Sequence, residues 1–299
     1  MSDSDSRAYT PARSYTLLFL CVFIWSLNYL SRQILLKEFS PYFLSALSLT
    51  VIGVVFLVWA LATKAAVRVN RKEMLFLLLS ALVGLIANQL FLYQGLKRTT
   101  ATNASLLFTL APLITAGLAA LFLKERVTWR MIAGSLVAIA GISQALGLTG
   151  FQLHSGDWLM LGATFTFSCN LIFIRILSRR LAPFIVTVYS FALSSLLFDP
   201  FVLAYVPIEW KHSLWIWGLA LGSILIAQGL TNVWWNQSMQ TVGAAKAAIV
   251  LNLQPMMTML LDLILFRHAL SAGKVTGALL VFAGVMLGTW NRGSGKRKL

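Results

Sequence analysis

Asn252-Leu253-Gln254-Pro255 lies inside the apolar run 247–266, which has the roughly 20 residues that a bilayer crossing needs. An amide presents a donor and an acceptor together, chemistry suited to holding a zwitterion or a neutral polar group rather than to breaking bonds. The matching place 143 positions earlier reads Thr109-Leu110-Ala111-Pro112. Similar groups recur at similar depth elsewhere: Asn28 and Asn170, Asn88 with Gln89, and Gln228 with Asn232. Trp25, Phe91, Tyr93, Trp234 and Trp235 fall within a turn or so of these amides, where ring faces could wall in an apolar group or a cation. The residues expected to contact a small solute are therefore Asn28, Trp25, Asn88, Tyr93, Thr109, Asn170, Gln228, Asn232, Trp235 and Asn252. The plainer alternative is that the amides stitch helix to helix, contributing about 0.6 kcal/mol each. Pro112 and Pro255 each remove a backbone donor and are expected to kink their helices, with or without touching a solute.

Intramembrane charge is scarce and therefore informative. Asp262 toward one end of its run, and Glu125 closing another, are the candidates for coupling transport to protons. Arg32 is expected to snorkel from near the end of its helix. The three histidines, His154, His212 and His268, fall in or beside loops, so no nucleophile–base pair is expected within the bilayer and the chain does not read as an enzyme. Without a carboxylate ring or a cysteine framework (Cys21 and Cys169 both sit in apolar runs), no metal and no cofactor is expected.

These groups must be carried by membrane helices. Of the 299 residues, 59% are hydrophobic and 11% charged, less than half the charge of an ordinary soluble domain, and the mean hydropathy is +0.80. The expected fold is an all-α integral membrane protein of ten transmembrane helices, near 15–36, 41–62, 74–96, 102–123, 130–149, 157–177, 184–205, 214–237, 245–266 and 273–290. The formal net charge of +15 points to membrane topology rather than nucleic acid, because the basic residues sit in the short gaps between apolar runs. With the N-terminus cytoplasmic, the positive residues divide seventeen inside to seven outside, which favours both termini inside. The first run is too long for a signal-peptide core and is kept as a mature helix.

The chain also repeats itself. At an offset of 142, Ser26, Asn28 and Pro41 land on Ser168, Asn170 and Pro183. At 143, Gln94, Pro112, Thr115, Gly134 and Gly141 land on Gln237, Pro255, Thr258, Gly277 and Gly284. Registered prolines, amides and glycines mark a duplication. The expected organisation is a cytoplasmic tail at 1–14, one five-helix repeat at 15–149, a second at 150–290 and a basic cytoplasmic tail at 291–299. Five is odd, so the second copy must enter from the opposite face, and inverted repeats rocking about a midplane site are a transporter signature.

At this point the sequence resembles the EamA-type transporters of the drug/metabolite transporter superfamily. The resemblance rests on Pro112, Lys124-Glu125-Arg126, Gly134 and Gly141, and it covers about residues 15 to 290. In that family a glutamate closing the fourth helix is typical of both halves; here His268 stands where Glu125 would map, so no paired-glutamate role passes to it. The resemblance implies a transporter of small organic molecules, often an exporter.

Together these readings predict an alternating-access secondary transporter, an exporter, of a small polar or amphipathic metabolite such as an amino acid. It would sit in the plasma membrane (the inner membrane of a bacterium), as a monomer or weak homodimer, with protons as the candidate coupling ion. A flippase of the same fold, moving a lipid or lipid-linked headgroup, is the alternative.

Overall fold

The computed structural model describes residues 11–64, 67–123, 129–145, 153–242, 250–251, 253–267 and 271–289. Among them every element is a helix. In chain order these are α1 (Pro11–Glu38), α2 (Pro41–Ala62), α3 (Arg71–Leu96), α4 (Ala101–Leu123), α5 (Trp129–Ala145), α6 (Ser155–Leu177), α7 (Pro183–Tyr205), α8 (214–242), α9 (Gln254–Phe266) and α10 (Ala272–Thr289). Six of them, α1 to α4, α6 and α7, are long and apolar enough to cross a membrane, and α5, α8, α9 and α10 hold shorter apolar stretches. Leu121, Leu136, Leu196 and Ile264 point apolar side chains outward. That is costly in water and ordinary in lipid. The chain is an integral membrane protein.

Local sequence explains the helix starts. Ser40 caps α2 by accepting from the Phe43 amide at 3.2 Å, with Pro41 in the first turn. Asn70 and Glu73 bond each other's backbone amides at 2.8 and 2.7 Å at the head of α3. Thr100 and Ser213 cap α4 and α8 in the same way.

Two helices are not regular. α3 widens into a π-helical stretch at Ser80–Ala87, and α8 does so at Leu225–Leu230. Shifted by 143 positions the first stretch becomes 223–230, which contains the second. A widened turn frees carbonyls, and side chains take them up. Ala227 O accepts from Trp25 Nε1 at 2.9 Å and from Thr231 Oγ1 at 2.8 Å. α4 breaks at Thr109–Leu110, just before Pro112, whose ring cannot donate to the Phe108 carbonyl. Pro255 occupies the first turn of α9.

The two halves interlock. α1 reaches across to α9, where Ser26 Oγ donates to the Gln254 carbonyl at 3.2 Å. α6 reaches back to α4, where Ser168 Oγ donates to the Ala111 carbonyl at 3.2 Å. These are the same bond at the two positions the duplication relates, and each lands on the residue before a proline. α5 and α10 form the tightest seam. A Cβ on Gly277 would sit 2.5 Å from Gly141 O, and one on Gly284 would sit 2.6 Å from Gly134 O. Position 134 meets 284 and 141 meets 277, so these two helices run antiparallel on glycine faces that let their backbones approach closely.

Candidate functional site

Arg32 and Tyr93 fix how α1 faces α3. The Arg32 guanidinium carbon lies 5.2 Å from the Tyr93 ring centroid, and the Tyr93 hydroxyl bonds Ser48 Oγ of α2 at 2.8 Å. Further along, Gln33 Nε2 donates to Thr99 O at 3.0 Å, so α1 and α3 advance in the same direction. Asn28 and Gln89 each stand four residues before this pair, one turn below it on the same two faces, since four residues rise about 6 Å. Gln89 Nε2 meets Gln228 Oε1 of α8 at 3.4 Å.

This layer is short of partners. Asn28 Oδ1, Gln89 Oε1, Gln228 Nε2 and Arg32 Nε are all buried without a hydrogen bond. A buried polar atom left unpaired costs about 1–3 kcal/mol, and native proteins keep few. Two acceptors and two donors on α1, α3 and α8 are thus left able to bond a polar partner. Trp25 and Trp235 pack with ring centroids 5.0 Å apart and planes tilted by 48°, and Trp25 Nε1 also reaches Thr231 Oγ1 at 2.8 Å.

The other expected contacts are used elsewhere. Asn88 Nδ2 donates to Ala163 O at 2.6 Å and to Thr166 Oγ1 at 3.3 Å, tying α3 to α6. Asn170 Oδ1 accepts from Ser80 Oγ at 2.6 Å, and its side chain fills the notch that Gly84 leaves in α3. Thr109 Oγ1 turns back to Ser105 O at 2.9 Å, and the exposed Asn232 donates to Gln228 O at 2.7 Å. Of the amides expected near one depth, the described residues bring Gln228 against Gln89, and Asn28 stands one turn before Arg32 on α1. Asn252 and Glu125 lie outside the described residues.

Arg32 corrects an expectation. It does not snorkel: it is 9% exposed, because Tyr93 of α3 lies over its guanidinium. Its place, four residues beyond Asn28 on one helical face, was readable; Tyr93 meeting it from α3 was not. Asp262 of α9 is 2% exposed and accepts from Thr102 Oγ1 of α4 at 3.1 Å. Asp199 sits within α7 beside Pro200 and accepts from Thr50 Oγ1 of α2 at 2.6 Å. Between α2 and α7 a groove of about 390 Å³ opens, lined by Thr50, Val54, Leu57, Ser195, Leu196 and Asp199.

Comparison with known proteins agrees with this architecture. A solved crystal structure superposes with a TM-score of 0.64 over 93% of this chain and 96% of its own, at 19% identity, so the two share a fold. An uncharacterized transporter of Bacillus subtilis is 26% identical over 72% of this chain and 73% of its own. A probable terminal-alkyne amino-acid exporter of Streptantibioticus cattleyicolor is 32% identical over 49% of each chain. An S-adenosylmethionine/S-adenosylhomocysteine transporter of Chlamydia trachomatis is 24% identical over 55% of this chain and 53% of its own. The profile of the EamA-like transporter family matches twice, at residues 12–146 and 154–290, and the chain belongs to that family.

Proposed function

We propose that the protein is an alternating-access secondary transporter, working as an exporter, of a small polar or amphipathic metabolite such as an amino acid. The observation that carries this reading is the layer of Asn28, Gln89 and Gln228, whose buried polar atoms lack partners between three helices of a membrane protein. Relatives named as an amino-acid exporter and as an S-adenosylmethionine transporter, both taking molecules with an amino-acid group, support the substrate class.

The organisation that goes with it is ten crossings as two inverted five-helix repeats. The reciprocal Ser26 and Ser168 bonds and the antiparallel seam of α5 with α10 support that inversion. Both termini then face the cytoplasm and the chain sits in the plasma membrane as a monomer or weak homodimer. Helices α3 and α8 are the moving parts, bending at their π-helical stretches, while α4 and α9 tilt before their prolines. Protons are the coupling ion, with Asp262 and Glu125 as the carriers. The protein transports without chemical change to its substrate and needs no cofactor.

Counterflow into proteoliposomes tests the reading. Radiolabelled amino acids, nucleosides and organic cations are offered to the reconstituted chain, with and without a pH gradient. Accumulation of one class is expected, and silence across the panel from folded protein would overturn it. The lipid flippase is the second reading. The groove between α2 and α7 favours it, since its Asp199 and Thr50 are flanked by the exposed Val54, Leu57 and Leu196. Scrambling of a fluorescent lipid by the same liposomes would select it.

A further inference from the structure

Arg32 is a buried charge with no ion-pair partner among the described residues. It lies 5.2 Å from the Tyr93 ring centroid and within electrostatic reach of Tyr29, and its Nε is buried without a hydrogen-bond partner. No described acid is in ion-pair contact with it, and each of the buried ones has a partner of its own. Glu38 faces His212 at 3.3 Å, Glu73 faces Arg180 at 2.8 Å, and Asp157 accepts from Thr99 Oγ1 at 2.8 Å. Asp199 and Asp262 accept from Thr50 and Thr102, and Glu209 is exposed. A buried ion left without a counter-charge is strongly unfavourable, and a ring face repays only part of the loss. A position that keeps such a charge implies an anion that visits it.

We propose that Arg32 binds the carboxylate of the transported solute. This rests on the transport reading above and goes further, by assigning one chemical group of the substrate to one residue. The planar guanidinium fork matches a carboxylate or a phosphate with two parallel bonds. The layer one turn below selects between the two. There Asn28 Oδ1 and Gln89 Oε1 are unpaired acceptors, suited to an ammonium group. A cationic recess of one arginine with acceptors one turn away fits a compact zwitterion better than a dianionic phosphate. Tyr29, buried one turn before Arg32, and Tyr93 supply aromatic surface beside it.

The test uses the full chain in proteoliposomes, as wild type, Arg32→Gln and Arg32→Lys. Counterflow is measured with a panel of radiolabelled L-amino acids. For the amino acid that moves, the carboxamide, the decarboxylated amine and glycerol phosphate are competitors. The wild type should take up at least one amino acid. The carboxamide and amine should compete at least about tenfold more weakly than the acid, the loss expected for a hydrogen bond to a charged group. Arg32→Gln should raise KM at least tenfold while melting no lower than the wild type, because it removes an unpaired buried charge; Arg32→Lys should keep part of the activity. Equal competition by acid and carboxamide, or an unchanged KM in Arg32→Gln, overturns the assignment. So does stronger competition by glycerol phosphate, which makes the anion a phosphate. If amines or nucleosides move and no amino acid does, the transporter reading stands and the carboxylate proposal falls. If nothing moves through folded protein, both fall. The competition arm needs only wild-type protein, so a variant that does not fold leaves the question decidable.

Discussion

Asn28 and Asn170 occupy the same position in the two halves and do different work, which separates recognition from packing. Asn170 takes a bond from Ser80 and fills the notch at Gly84, whereas Asn28 Oδ1 is buried and unpaired. Asn170→Ala should therefore act on stability. It strands the Ser80 hydroxyl and opens a hole against α3, for a loss of about 1–3 kcal/mol, read as a lower melting temperature in detergent with KM unchanged. Asn28→Ala should do the opposite, leaving the melting temperature in place and raising KM by roughly tenfold, the worth of about 1.4 kcal/mol. If the two variants exchanged these signatures, the site would belong to α6 rather than α1. Depth was legible in the sequence for both asparagines, because an amide in the middle of an apolar run is at mid-membrane whatever its neighbours are. Direction was not. Which amides find partners depends on facing side chains such as Ser80 and Gly84, dozens of residues away. Arg32 shows the same limit, since its burial depends on Tyr93 meeting it from α3.

At the scale of elements, the pattern of apolar runs located α1 to α4, α6 and α7 to within about four residues, whereas α9 begins at Gln254 rather than near 245; which helices the glycine faces join, α5 with α10, came from the structure. Gly277→Val puts that seam to the test. Its Cβ would meet Gly141 O and Ala145 N at 2.5 Å, both backbone atoms that cannot swing aside. Overpacking of this kind costs about 1–3 kcal/mol or more, so the variant should melt well below the wild type. Gly218→Ala, with nothing within 4 Å of the added methyl, should melt at or slightly above it, since alanine is better than glycine in a helix interior by roughly 0.5–1 kcal/mol. The π-helical stretches had no such signal. They hold an extra residue per turn without a distinctive composition, and only their recurrence at related positions marks them as built features. Deleting Leu82, whose side chain points outward, lets Ser80–Ala87 close to regular α-helix with the flanking register kept. Folding should survive, seen as a melting temperature close to wild type, while counterflow falls by an order of magnitude or more as α3 loses its bending point. Deleting Leu75 in the regular part of α3 instead rotates everything before it by about 100°, and that variant should not fold.

For the whole molecule, the proposed organisation turns on the second half entering the membrane from the opposite face. Two features support it. One is the charge count, seventeen basic residues on the side of the N-terminus against seven, which by the positive-inside rule puts that side in the cytoplasm. The other is internal: the Gly134–Gly284 and Gly141–Gly277 contacts are exchanged by the repeat, and they make its fifth and tenth helices antiparallel. A direct repeat would set helices that are copies of one another parallel. Substituted-cysteine labelling reads the outcome. In a background with Cys21 and Cys169 replaced by alanine, Arg68→Cys before α3 and Arg179→Cys after α6 should react with an impermeant maleimide only after the membrane is opened. Lys97→Cys after α3 and Lys211→Cys before α8 should react in intact cells. These positions also test the inversion, because α3 and α8 are copies and their first ends must emerge on opposite faces. The loop before α3 should label from inside and the loop before α8 from outside. Labelling of both from one side would make the two halves parallel, and a mechanism in which they rock as mirror partners about Asn28, Gln89 and Gln228 would have to be given up.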